Sequence, residues 1–403
     1  MKAPEIAKYV AMGGKLNPRP RPRQEMERRF PSVYLSVEET VQLMTTQKTK
    51  SFVPARAQIY ALSSSWHSVE HPDPTGSTAK AVIEGMGGWN PCAHEGGKEG
   101  ERLFWKEREG KREKREGEED EEAWMEKFFK RTSSNALPED TTDYPIYFQD
   151  FVSLHQQLHD KSRTPEQAAL FEQGLSLLPC TYGSMSGVVY FLQYTHVPTE
   201  REGVTNKTPY HKRGWTHFES LVAAVKRKDH RIYLGPSHPS EPALTLELFE
   251  QVPLPPPAFQ RLLEEKRPEE KTDENKEGYV IRFNNRKDDH ALVANRYKDF
   301  MLDTQVRGRK KIDMSWKSTT TKEKWEMLGE YFSWIGEQPE CAVEEVSLYG
   351  CALNEDSLPP VAAGLSALSS LRELELSRNN FGLSSLSALT CLRQVKVSKC
   401  ASS

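Results

Sequence analysis

The chain lacks any run of about 18 consecutive apolar residues, so its sequence holds no candidate membrane-spanning helix. Its opening stretch, MKAPEIAKYVAMGGKLNPRPRPRQ, lacks the roughly 7–15-residue apolar centre of a secretory signal. A basic excess is missing too. The net charge of −3 argues against a general nucleic-acid binder, which needs surplus Lys and Arg. None of the six cysteines (Cys92, Cys180, Cys341, Cys351, Cys391 and Cys400) forms a C-x-x-C pair. They read as reduced thiols of a cytoplasmic protein with no zinc site. Phosphate-loop, protein-kinase and G-x-S-x-G signatures are absent. Hydrophobic residues make up 36% against 28% charged, so part of the 403-residue length must be solvated rather than core. That length suits two or three domains.

What is present divides the chain. Residues 1–50 read as a polar, Pro-rich arm with one short helix. Residues 51–240 alternate apolar strands with amphipathic helices. The strands are AQIYALSSSW, YPIYFQDFVSLHQ, GVVYFLQYT and RIYLG; the later helices are TPEQAALFEQGLSLL and RGWTHFESLVAAVKRK. Thr164, Pro165 and Gln167 open the first of those two helices with a capping box. Alternation of this kind predicts a parallel sheet covered on both faces, with ligands at the carboxyl ends of its strands. Ser64, Ser65, Trp66, Asp150 and Gln156 close the first strands there, and the loop leading to Trp215 and Glu219 joins them. These are the candidate ligand-binding residues. Residues 93–135 form a mixed-charge, low-complexity insertion, read as a solvated helix or loop. Residues 241–340 read as a Pro-rich hinge and helical adaptor. His155 and His159, four apart, suggest metal ligands, but no third ligand follows at telling spacing, so no metal is expected.

Residues 341–403 carry a repeated pattern. VEEVSLYGCAL, LRELELSRNNF and LRQVKVSKC align with apolar residues at the same three places. These are Val343, Val346 and Leu348, then Leu371, Leu374 and Leu376, then Leu392, Val395 and Val397. Cys351, Asn379 and Cys400 fill the ninth slot. The segments start at 343, 371 and 392, offsets of 28 and 21 residues, inside the roughly 20–29 of leucine-rich repeats, which this region resembles. The pattern implies short strands lined by those residues. Glu373, Glu375, Arg393 and Lys396 would point onto a concave, partner-binding face. The third unit stops at Ser403 without a cap, so an apolar edge is expected that a second copy or another chain would cover.

The middle region resembles the N-terminal α/β domain of protist leucine-rich repeat proteins, trypanosomatids included. The segments that carry this are SSSWHSVEHPDP, YFQDFVSLHQ, RTPEQAALFEQGL and RGWTHFES. It is more distantly similar to TIR and fungal HET domains. Asp150 and Gln156 stand where HET domains carry a strand-ending Asp and a following Gln. Trp215-Thr-His-Phe-Glu219 is similar to the TIR Trp-Cys-x-x-Glu signature, with Thr216 in place of Cys. The fold class expected is therefore α/β: an open, mostly parallel, flavodoxin/TIR-like sheet with a charged insertion, a helical adaptor and a short C-terminal leucine-rich repeat solenoid. In NAD-cleaving TIR enzymes the matching glutamate is essential, which makes Glu219 the catalytic candidate, with Trp66 or Trp215 stacking on a ring. The alternative is that Glu219 pairs with Arg213 or Arg227 and the tryptophans fill the core. Two functions follow. The first is an interaction protein that binds a protein partner through the repeats, with no cofactor. The second is an NAD-cleaving or nucleotide-binding enzyme with the repeats as sensor.

Overall fold

The computed structural model describes residues 59–68, 146–148, 154, 163–184, 189–226, 230–233, 252–317, 321–382 and 396–398. Asp150, Gln156, Leu392 and Val395 lie outside the described residues, as do the 1–50 arm and the 93–135 insertion.

Four strands form the first sheet: β1 (Ile59–Ser64), β2 (Ile146–Phe148), β3 (Val189–Tyr194) and β4 (Arg231–Tyr233). All pairs are parallel and the order is β2-β1-β3-β4. Helix α1 (Pro165–Tyr182) starts at Thr164, whose hydroxyl accepts from the Gln167 amide while the Gln167 side chain accepts from Thr164 N–H, both at 3.2 Å. The box satisfies two of the amides that a helix start leaves orphaned. Leu178 and Tyr182 at its far end are buried, and the Tyr182 hydroxyl donates to the Leu62 carbonyl at 3.1 Å. Helix α2 (Gly214–Ala223) is almost wholly buried. Helices α3 (Pro256–Glu264) and α4 (Arg286–Met301) pack beside it. Phe259 and Tyr297 meet there with ring centroids 4.6 Å apart, and the Tyr297 hydroxyl donates to Leu254 O at 2.7 Å.

The second sheet holds β5 (Lys311–Asp313), β6 (Glu345–Ser347), β7 (Glu373–Glu375) and β8 (Lys396–Ser398), parallel and in sequence order. Ile312, Val346, Leu374 and Val397 share one register line. Helix α5 (Lys322–Gly336) joins β5 to β6, and α6 (Leu358–Leu365) joins β6 to β7. Val343, Val346, Leu348, Leu371, Leu374 and Leu376 are all buried, in a core cluster that also takes in Phe191, Phe218 and Tyr297. Asn379 works on backbone groups. Its amide donates to Leu348 O and Leu376 O, each at 2.8 Å, and its carbonyl accepts from Leu353 N at 2.9 Å. Asn379→Ala strands these groups and should cost about 2 kcal/mol in urea unfolding.

This arrangement corrects the expected fold class. The described residues form two small parallel sheets among helices, not one open flavodoxin/TIR-like sheet followed by an adaptor and a solenoid. The physical reason is twofold. Lys311–Asp313, assigned to the helical adaptor, is a strand instead: Ile312 is buried, Lys311 is exposed and Asp313 half-exposed, a period of two that exists only because β6 pairs with it. A solenoid needs about three or more stacked units. In the second sheet, among the described residues, only β5–α5 and β6–α6 are complete strand–helix units, fewer than such a stack needs. No described helix is long and apolar enough to cross a membrane.

Candidate functional site

The first sheet carries a buried polar cluster beneath the carboxyl ends of β1 and β3. Ser63, next to last in β1, donates to the Glu219 carboxylate and lies 2.5 Å from the Tyr210 hydroxyl. Tyr210 stands 3.1 Å from Ser220 Oγ, which accepts from Gln193 Nε2 at 3.0 Å and donates to Thr216 O at 2.9 Å. Counting protons orders the chain. Ser63 gives its proton to Glu219 and Ser220 gives its to a carbonyl. The Tyr210 hydroxyl is left as donor to the serine oxygens. Burial, and then the Glu219 charge, push the Tyr210 hydroxyl well above the usual tyrosine range, so it stays a donor. Arg231, opening β4, is buried nearby, and burial lowers its guanidinium to about 10.

Glu219 sits in this cluster because α2 lies across the sheet. Thr216, one turn earlier, donates to the Tyr210 carbonyl at 2.5 Å and fixes the short 3-10 turn before the helix. Arg213 does not pair with Glu219. Its Nε donates to Thr208 O at 2.7 Å, Nη2 to Asn206 O at 2.9 Å and Nη1 to Trp66 O, so it pins the loop after β1 to the loop before α2. Arg227 lies outside the described residues. Ser65 is buried, Ser64 and Trp66 are half-buried. Trp215 turns edge-on to Phe218, with ring centroids 6.0 Å apart, and packs against the core. The structure thus brings Glu219 to Ser63. Chemically the arrangement holds a carboxylate among hydroxyls, with Ser63 at 0% and Glu219 at 5% exposure. Among the described residues no group of three His, Cys, Asp or Glu could hold a metal ion.

Sequence reasoning missed Tyr210, Gln193, Ser220 and Arg231. Gln193 and Arg231 leave a trace, since each is a lone polar side chain in an apolar strand. Tyr210 leaves none.

His217, beside Thr216 in the first turn of α2, stacks on Phe259 at 6.3 Å and 9°, with Nδ1 3.1 Å from His211 O. Burial lowers its pKa to about 4. The unfolded chain therefore holds more protons between about pH 6.5 and 4. The stability His217 contributes is complete above about 6.5 and falls away as the pH drops towards 4. Thermal midpoints measured from pH 7.5 to 4.5 should fall less steeply in His217→Phe, which keeps the stack but carries no titrating ring.

Lys317, just after β5, reaches back to the first sheet. Its ammonium donates to Ala224 O and, at 2.7 Å, to Lys226 O, at the carboxyl end of α2. The amine there satisfies orphan carbonyls at the negative helix end, while burial lowers its pKa to about 7.

The second sheet offers an open face. In β5, β6 and β7, Lys311, Asp313, Glu345, Ser347, Glu373 and Glu375 flank the buried central residue, four carboxylates to one lysine, and β8 adds a second lysine, Lys396, in register with Glu373. Lys311 pairs with Glu345 at 3.1 Å, an exposed pair worth about 0–1 kcal/mol. Past the strand ends lie Trp316, 44% exposed, and Tyr349, with ring centroids 5.2 Å apart. Cys351 is buried, its thiol donating to Met314 O at 3.0 Å, and burial pushes its pKa up to about 12. Cys180, Cys341 and Cys351 are all free thiols. Compared with protein-family models, curated proteins and solved structures, the chain finds no match.

Proposed function

We propose that the chain is an interaction protein of the cytoplasm. It holds a protein partner on the open face of the β5–β8 sheet, and the first sheet serves as a regulatory or assembly module. The observation that carries this reading is the run of carboxylates on that face, bounded by an exposed tryptophan. Tryptophan, tyrosine and arginine are the side chains most enriched at binding hot spots. A site-specific photo-cross-linker tests it. Placed at Glu373 in the full chain, it should give a discrete adduct with one partner, lost on Glu375→Lys. The same probe at Glu166, exposed on α1, should give none. Equal adducts at both positions would overturn the reading. Self-association through the β8 edge belongs to the same proposal, and sedimentation at rising concentration checks it.

A second reading, an NAD-cleaving or nucleotide-binding enzyme, has one observation in its favour: the Glu219 carboxylate lies beside Ser63 near the end of β1, on the side where parallel sheets bind ligands. Incubating the full chain with NAD decides it. Nicotinamide release that Glu219→Gln abolishes supports the enzyme; no release removes it.

A further inference from the structure

The three described strand ends of the second sheet share one backbone device. Three residues beyond β5, β6 and β7 stand Trp316, Gly350 and Arg378, with φ of 64°, 65° and 58°. The turns stack on one another. Trp316 N–H donates to Tyr349 O at 2.8 Å, and Gly350 N–H to Ser377 O at 3.0 Å. Glycine tolerates the left-handed region at no steric cost, and it fills only the middle turn. Tryptophan and arginine are strained there, and such strain persists where surrounding structure enforces it, clustering at functional sites.

The strain has a geometric result. The Trp316 ring lies across Gly350, so close that a Cβ at 350 would meet ring carbons at 2.7 and 2.9 Å. Its edge meets Tyr349, and the Arg378 guanidinium carbon stands 6.0 Å from the Trp316 ring centre and 5.5 Å from that of Tyr349. The left-handed turns thus hold an edge-to-face aromatic pair at the sheet's end, its rings at 80° to one another, beside a cation and still partly open to solvent. Beside it run Asp313, Glu345, Glu373 and Glu375.

Resting on the protein-binding reading, we propose that Trp316 and Tyr349 form the anchoring platform of that face. The occupant we infer is a protein segment that seats an apolar or aromatic side chain on the two rings and lays Lys or Arg side chains over the neighbouring carboxylates. Arg378 is a positioning residue that keeps the rings in place. Charge complementarity selects a basic segment, and the platform sets where along the face it sits.

Panning the full chain against a displayed random-peptide library tests this. The expected result is enrichment of peptides joining basic residues to an aromatic or large apolar one. Their affinity should fall at least about tenfold in Trp316→Ala, fall in Glu373→Lys, and weaken with added salt. Arg378→Gly separates folding from binding: its thermal midpoint should stay level or rise as the strain is relieved, while affinity drops. Peptides that depend on Glu373 but not on Trp316 would overturn the platform and leave the protein-binding face standing. No peptide whose capture depends on Glu373 or Glu375 would overturn both.

Discussion

Gly364→Ala should lower stability by about 3 kcal/mol or more, the upper end of the usual cost of overpacking. The reason is backbone contact between α5 and α6. A Cβ at 364 would meet Gly329 O at 2.1 Å and Gly329 Cα at 2.7 Å; one at 329 would meet Pro360 O at 2.3 Å. These obstacles are main-chain atoms, so no rotamer change relieves them. Alanine's better helix propensity returns only about 1 kcal/mol. The helix pair covers the second sheet, so its separation exposes Val361, Leu365, Leu328 and Phe332, all buried. Gly308→Ala makes the contrast. Its φ is +65° with nothing within 4 Å, so only backbone strain of about 1–2 kcal/mol applies. Thermal unfolding followed by circular dichroism should place Gly364→Ala well below Gly308→Ala. Equal midpoints would mean that α5 and α6 do not touch through their backbones.

Glu219→Ala should cost about 3 kcal/mol, from a cavity at a buried site and a buried serine hydroxyl deprived of its acceptor. Ser63 loses the carboxylate it donates to, and Tyr210, 2.5 Å from Ser63, loses the order imposed on its proton. Glu219→Gln keeps the shape and an acceptor oxygen, and should cost about 1 kcal/mol. Both are read from urea unfolding. A Glu219→Ala variant as stable as the parent, with altered ligand turnover, would show that the cluster is a reaction centre and not a support.

How far the sequence reveals this structure depends on the range of the interaction involved. The start of α1 is legible because a capping box is local: Thr164, Pro165 and Gln167 decide it within four residues. β1 and β3 are legible because both faces are buried, so they read as apolar runs. β5 is not. Ile312 is the lone apolar residue of Lys311–Asp313, and only pairing with β6 makes it a strand. The same limit misled the fold class, since an alternating pattern records which side chains point inward but not how many units stack. In the polar cluster, Glu219 is visible through its motif and Gln193 as a lone polar residue within a strand. Tyr210 reaches them only through the turn that Thr216 holds. The strained φ of Trp316 and Arg378 leaves no mark in composition at all. It arises from the stacking of strand ends.

The most direct test of the interaction reading is a footprint. The full chain and its cross-linked partner, or a peptide selected on it, are compared by hydroxyl-radical labelling with and without each other. Protection at Trp316, Tyr349 and the β6–β7 face, with Tyr210 and the β1 end unchanged, is the result expected. Protection centred on Ser63, Tyr210 and Glu219 with none at Trp316 would contradict the account.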